Sequence, residues 1–182
     1  MATDDISIPQ YIPIGEAPTD IDAIIAQEKA AQLPFWNATV AFQLGCALRT
    51  RLLAISKPVV IHISTVSSPA HVLFHAVTHS GTALDNDFWV SRKRNAVIRF
   101  GASTWRLHHQ FNKGDEELFR TKMGLGEKAG EYAIHGGGVP VYVRNVDTPV
   151  AVAVVSGLKQ WDDHQVVVEE LANVCKSLEK GV

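Results

Sequence analysis

From Ile21 to Leu52 the apolar positions recur every three or four residues; from Pro58 to Thr78 they run almost unbroken, and the same change of period returns further along the chain. Thr19 is expected to cap a first helix, IDAIIAQEKAAQ, with Asp20 and Asp22 in the first turn and an end before Pro34. Asn37 opens a second, ATVAFQLGCALRTRLLAIS, whose Ala41, Leu44, Leu48 and Leu52 share a face and whose Gly45 permits close packing. The β-branched runs PVVIHIST (58–65) and HVLFHAVT (71–78), separated by VSSPA, read as a hairpin. A helical middle follows: Asp85 or Asn86 caps FWVSRKRNAVIRFG, Ser103 caps TWRLHHQFNKG, and EELFRTKMG extends it to Gly124 and Gly126. Runs 139–144 and 149–157, joined by NVDT, form a second hairpin. The last helix opens at Asp162 with Gln165 in a capping box, and Val167, Leu171, Val174 and Leu178 make its stripe.

Two hairpins separated by helices, with no βαβ alternation, predict an α+β fold: a central antiparallel β-sheet covered by helices as an α-β-α sandwich. Residues 1–18, with Pro9, Pro13 and Pro18, read as an N-terminal arm, and residues 19–182 as a single domain. A chain of 182 residues buries roughly 70% of its unfolded surface and folds without a disulfide or metal. Cys46 and Cys175 lie in apolar helical patterns and read as buried thiols in a reducing compartment. The net charge of -2 argues against general nucleic-acid binding. With neither a signal-peptide pattern nor an apolar run of about 18 residues, a cytoplasmic location without membrane insertion is expected.

Charge is unevenly spread. Residues 88–114 hold Arg92, Lys93, Arg94, Arg99, Arg106 and Lys113 with no acid, whereas residues 1–28 hold acids and no Lys or Arg. Arg92, Asn95 and Arg99 share a helix face, and Ser103 opens the next helix, whose N–H groups attract anions. Two readings stay open there: a site for a carboxylate or phosphate, or ion pairing with the acidic arm or with Asp162 and Asp163 of another subunit.

His135-Gly136-Gly137-Gly138 has three readings: an oxyanion-hole loop, the rim of a ligand pocket, or a tight turn before a strand. The hydrolase reading fails for want of a GxSxG serine, since Val154-Val155-Ser156-Gly157 lacks the first glycine. Rim and turn are compatible, because glycines bring bare N–H groups close to whatever lies above them. His71, His75 and His79 tempt a metal reading. In a strand, residues four apart are about 13 Å apart, too far for one zinc ion, so no metal site is expected.

The stretches WVSRKRNAVIRFGAST, YAIHGGGVPVYV and VAVAVVSGLKQWDDHQVVVEEL resemble the family related to the haem-binding protein HbpS and to GlcG, the haem-degrading domain proteins, in a bacterial and fungal branch. The likeness covers residues 19–179. It implies an α+β sandwich, assembly into homo-oligomers, and for some members haem binding or slow haem degradation. By motif position it points to Arg94, Asn95, Arg99, Phe100 and Ser103, to His135, Gly136, Gly137 and Gly138, and to Ser156, Gly157, Gln160, Asp163 and His164. Haem would want an axial imidazole, His135 or His164, with Arg94 and Arg99 on the propionates and no covalent attachment. Asp163 would orient His164 as a base. The expectation is an oligomeric protein with a pocket for haem or another small anionic molecule; the alternative is a non-catalytic homo-oligomeric scaffold built from the same residues.

Overall fold

The computed structural model describes residues 8–180. Helices α1 (Ile21–Ala30) and α2 (Ala38–Leu52) precede strands β1 (Val60–Thr65) and β2 (Val72–Val77). Helices α3 (Asp85–Phe100), α4 (Thr104–Gln110) and α5 (Glu116–Lys122) and a 3-10 turn (Gly126–Glu131) lead to β3 (Gly138–Val141), β4 (Ala151–Ser156) and α6 (Gln160–Lys180). The two hairpins associate through their first and last strands to give one antiparallel sheet in the order β2-β1-β4-β3. The fold is α+β, as the change of period predicts.

Alternation along the strands sends side chains to two cores. Ile61, Ile63, Ala153 and Val155 meet Leu44 and Leu48 of α2 and Val167 and Leu171 of α6 on one face. Val60, Val152 and Val154 meet Val90 and Val97 of α3 on the other. Helix α2 lies so close to β2 that a Cβ on Gly45 would fall 2.3 Å from the Phe74 ring. A third core, with Ala96, Leu107, Phe111, Phe119 and Ile134, ties α4 and α5 to the far end of α3.

Local details depart from expectation in physically simple ways. Asp20, not Thr19, caps α1, its carboxylate accepting the Ala23 N–H at 2.9 Å. Neither Asp85 nor Asn86 caps α3; Asn86 Oδ1 instead accepts the Ala83 N–H in the turn before it. Helix α6 begins at Gln160, two residues before the expected Asp162, and Gln165 pairs with Gln27 and Glu169 rather than closing a capping box. Cys175 is buried, but Cys46 is only half-buried. Residues 1–7 of the expected arm lie outside the described residues; after them the chain lies along its own helices, Pro13 and Pro18 carbonyls accepting from Arg51 and Trp105.

Candidate functional site

Where the middle of α3, the glycine turn before β3 and the start of α6 meet, the sheet margin opens into a cleft of about 330 Å³. Its floor is a buried ion pair. Lys93 occupies a position in the apolar stripe Val90, Lys93, Val97 of α3, and its Nζ reaches Asp163 Oδ2 at 3.3 Å and the Val155 carbonyl at 3.1 Å. Asp163 also accepts the N–H groups of Gly157 and Leu158, so it closes the β4–α6 turn as well as pairing. Burial pushes the Lys93 ammonium down and the Asp163 carboxyl up from their ordinary values, while the attraction between the two opposes both shifts.

The walls carry Asn86, Trp89, His135, Ser156 and Gln160. Gln160 uses its amide oxygen on the Gly136 N–H, and Asn86 uses its own on Ala83, so each keeps an amide NH₂ donor outside those contacts. His135 packs edge-on against Trp89, with ring centroids 5.1 Å apart, and its Nδ1 faces Glu116 at 3.6 Å. Burial lowers its pKa, with Glu116 opposing and Lys93 and Arg92 assisting. The Arg92 guanidinium lies over the indole, 4.6 Å from its centroid.

The glycine turn is both turn and rim. Gly137 has φ +121°, open to glycine, and a Cβ there would meet the Val155 carbonyl at 2.3 Å and Lys93 Nζ at 2.7 Å. The Gly136 and Gly138 N–H groups are taken by Gln160 and Thr104, which leaves no glycine pair facing outward as an oxyanion hole.

Of the residues singled out in the sequence, His135, Ser156, Gly157, Gln160 and Asp163 line this cleft, with Gly136, Gly137 and Gly138 behind it. The others lie elsewhere. Arg94 clamps the β1–β2 hairpin through the Ser64 hydroxyl and the Thr65 and Ser67 carbonyls. Asn95 donates to Glu131 O, and Arg99 reaches Tyr132 OH and Met123 O. With Arg92 on Tyr132 O, the shared face of α3 is filled by the chain's own segment 123–132. Ser103 caps α4, and its N–H donates to Glu28, whose other oxygen faces Arg106 at 3.5 Å; the anion at that helix start is internal. His164 is fully buried beside Trp105 and contacts Gln27, so Asp163 does not orient it as a base. Of the strand histidines, His75 meets His62 and Asp87 while His79 meets the Leu53 and Ile55 carbonyls, which separates them. The sequence counts Lys93 only among the basic residues of 88–114 and Asn86 only as a cap candidate, although a lysine inside an apolar stripe is a legible anomaly.

A family model described as haem degrading protein HbpS-like matches residues 37–172. The chain belongs to the HbpS-like family. It is 34% identical over 158 residues to a UPF0303 protein of Psychromonas ingrahamii, covering 87% of this chain and 94% of that one. The UPF0303 protein YBR137W of Saccharomyces cerevisiae is 39% identical over 158 residues, covering 85% and 84%. The crystal structure of Ybr137w superposes with a TM-score of 0.79 at 33% identity, over 87% of this chain and 88% of that one. That of HbpS, at 16% identity and a TM-score of 0.57 over 79% and 92%, shares the fold.

Haem, which the HbpS-like family description implies, does not fit the donor set expected for it. His164 is enclosed, its Nδ1 buried without a partner among the described residues, and it does not line this cleft. Arg94 and Arg99 are engaged away from His135. A cleft of about 330 Å³ is near the lower end of the roughly 300–1,000 Å³ typical of small-molecule sites. Among the described residues no helix is long and apolar enough to cross a membrane.

Proposed function

We propose that this HbpS-like chain is a cytoplasmic homo-oligomeric protein that binds a small anionic molecule in the cleft above Lys93 and Asp163. The observation that carries the reading is the convergence of three nitrogen donors, Lys93 Nζ and the Asn86 and Gln160 amides, beside the Trp89 wall of one concave site. A carboxylate there would gain charge-assisted hydrogen bonds in partly desolvated surroundings, and the indole would cover its apolar remainder. Trp89 provides the signal for a test. Titrating the full chain with pyruvate or inorganic phosphate is expected to change the indole fluorescence saturably, and Asn86→Ala with Gln160→Ala to weaken binding at least about tenfold, since two hydrogen bonds to a charged group are lost. Haemin is expected to leave its Soret band unshifted. A flat response to both anions, or a Soret shift that His135→Ala abolishes, overturns the reading.

The scaffold reading draws on a different surface. Strand β2 is a sheet edge, and next to it Leu84 and Phe88 stand 88% and 69% exposed. Unpaired edges and exposed aromatic side chains suit a subunit contact. Phe88→Glu is expected to lower the sedimentation coefficient of the assembled protein; an unchanged value removes this face from the interface.

A further inference from the structure

Resting on that ligand site, we propose that Lys93 acts in it as a nucleophile, forming an imine with the carbonyl carbon of a small 2-oxo acid. The amine is fixed on a buried stripe of α3, at the floor of a cleft, and its two protein contacts are both acceptors: the Val155 carbonyl and the Asp163 carboxylate. An unreactive structural lysine usually carries its ammonium to water; this one is 3% exposed. The acceptor needed to take its proton stands 3.3 Å away. Gly137, packed against the pair, seals it on the sheet side, so the approach is from the cleft. Burial lowers the Lys93 pKa, which raises the fraction of free amine near neutrality. The Asn86 and Gln160 amides and the His135 ring lie on the walls, where the carboxylate of a 2-oxo acid would rest while its carbonyl points down to the amine.

The step balances without an oxidant or reductant. Lys93 passes one proton to Asp163, and the free amine attacks the carbonyl carbon as the C=O π bond breaks. The resulting alkoxide takes a proton from the nitrogen, giving a neutral carbinolamine. Asp163 then returns its proton to that hydroxyl, which leaves as water while the nitrogen lone pair forms the C=N bond. The product is a protonated imine beside an ionised Asp163, so the buried charges at the end equal those at the start.

The test is to incubate the full chain at pH 7 with pyruvate and cyanoborohydride, then map the adducts by peptide mass spectrometry. The expected result is one adduct per chain on Lys93, formed at least about tenfold faster than on surface lysines, since the cleft holds the carbonyl against the amine and Asp163 stands beside it to take the proton. Lys93→Arg is expected to abolish it; the map of the unaltered chain decides the matter even where that variant fails to fold. Saturable quenching of Trp89 by pyruvate with adducts spread over surface lysines and none on Lys93 overturns the imine while leaving the anion site intact. The absence of both quenching and a Lys93 adduct overturns both.

Discussion

Lys93→Met is expected to lower the stability of the folded chain by about 3–5 kcal/mol, the usual cost of breaking a buried ion pair by removing one partner. The carboxylate of Asp163 would keep the Gly157 and Leu158 N–H groups but lose the ammonium that offsets its burial. Without the ammonium its pKa would rise further, and the proton it then binds caps the loss. Asp163→Ala is expected to cost more than Lys93→Met, because it strands the ammonium and also removes the acceptor for the two backbone N–H groups of the β4–α6 turn. Urea denaturation of both single variants and of the double variant measures this directly. The double variant should lie well short of the sum, since the second change removes a charge that the first left unpaired. Additive losses would show that the two side chains do not act as a pair.

The sheet was legible because strands and turns are local: β-branched runs bounded by VSSPA and NVDT can do little except form hairpins, and helices between them must cover the faces. The rim of the site was legible in the glycine turn and in the motif positions of His135, Ser156, Gln160 and Asp163, but its floor was not. Helical spacing correctly placed Arg92, Asn95 and Arg99 on one face of α3, but spacing does not say what packs against a face, and segment 123–132 fills it. The sequence marks Ser103 as a cap, which it is, whereas the anion at its helix comes from Glu28, 75 residues away in sequence. Lys93 sat in view between Arg92 and Arg94. Its significance comes from Val90 and Val97, which put it on the buried stripe, and from Asp163, which the β4–α6 turn brings beneath it.

His164 leads to the second large effect, an acid transition. Gln27 donates its amide nitrogen to Gln165, which turns Gln27 Oε1 toward His164 and assigns His164 Nε2 as the donor in their 3.2 Å contact. Nδ1 is then a bare, buried lone pair with no partner among the described residues. Adding a proton there would place an unsatisfied N–H and a charge inside the protein, near His109, and the pKa is pushed down to about 3 by burial first and by His109 second. In the unfolded chain the same ring titrates at about 6.5. Between these values the unfolded state holds the extra proton, so stability is full above about pH 6.5 and falls as pH drops toward 3. At pH 5 the expected loss from this ring is about 2 kcal/mol. His62, set against His75 and Arg94 and pushed down to about 4 by burial, adds a loss of the same sign. Thermal melts from pH 7 to pH 4.5 should therefore shift steadily downward, and His164→Gln, which keeps a donor for Gln27 and cannot titrate, should flatten the slope by the His164 share. A variant whose melting temperature falls as steeply as the parent's would show that protons enter elsewhere and that the buried ring beside Trp105 does not set the acid limit.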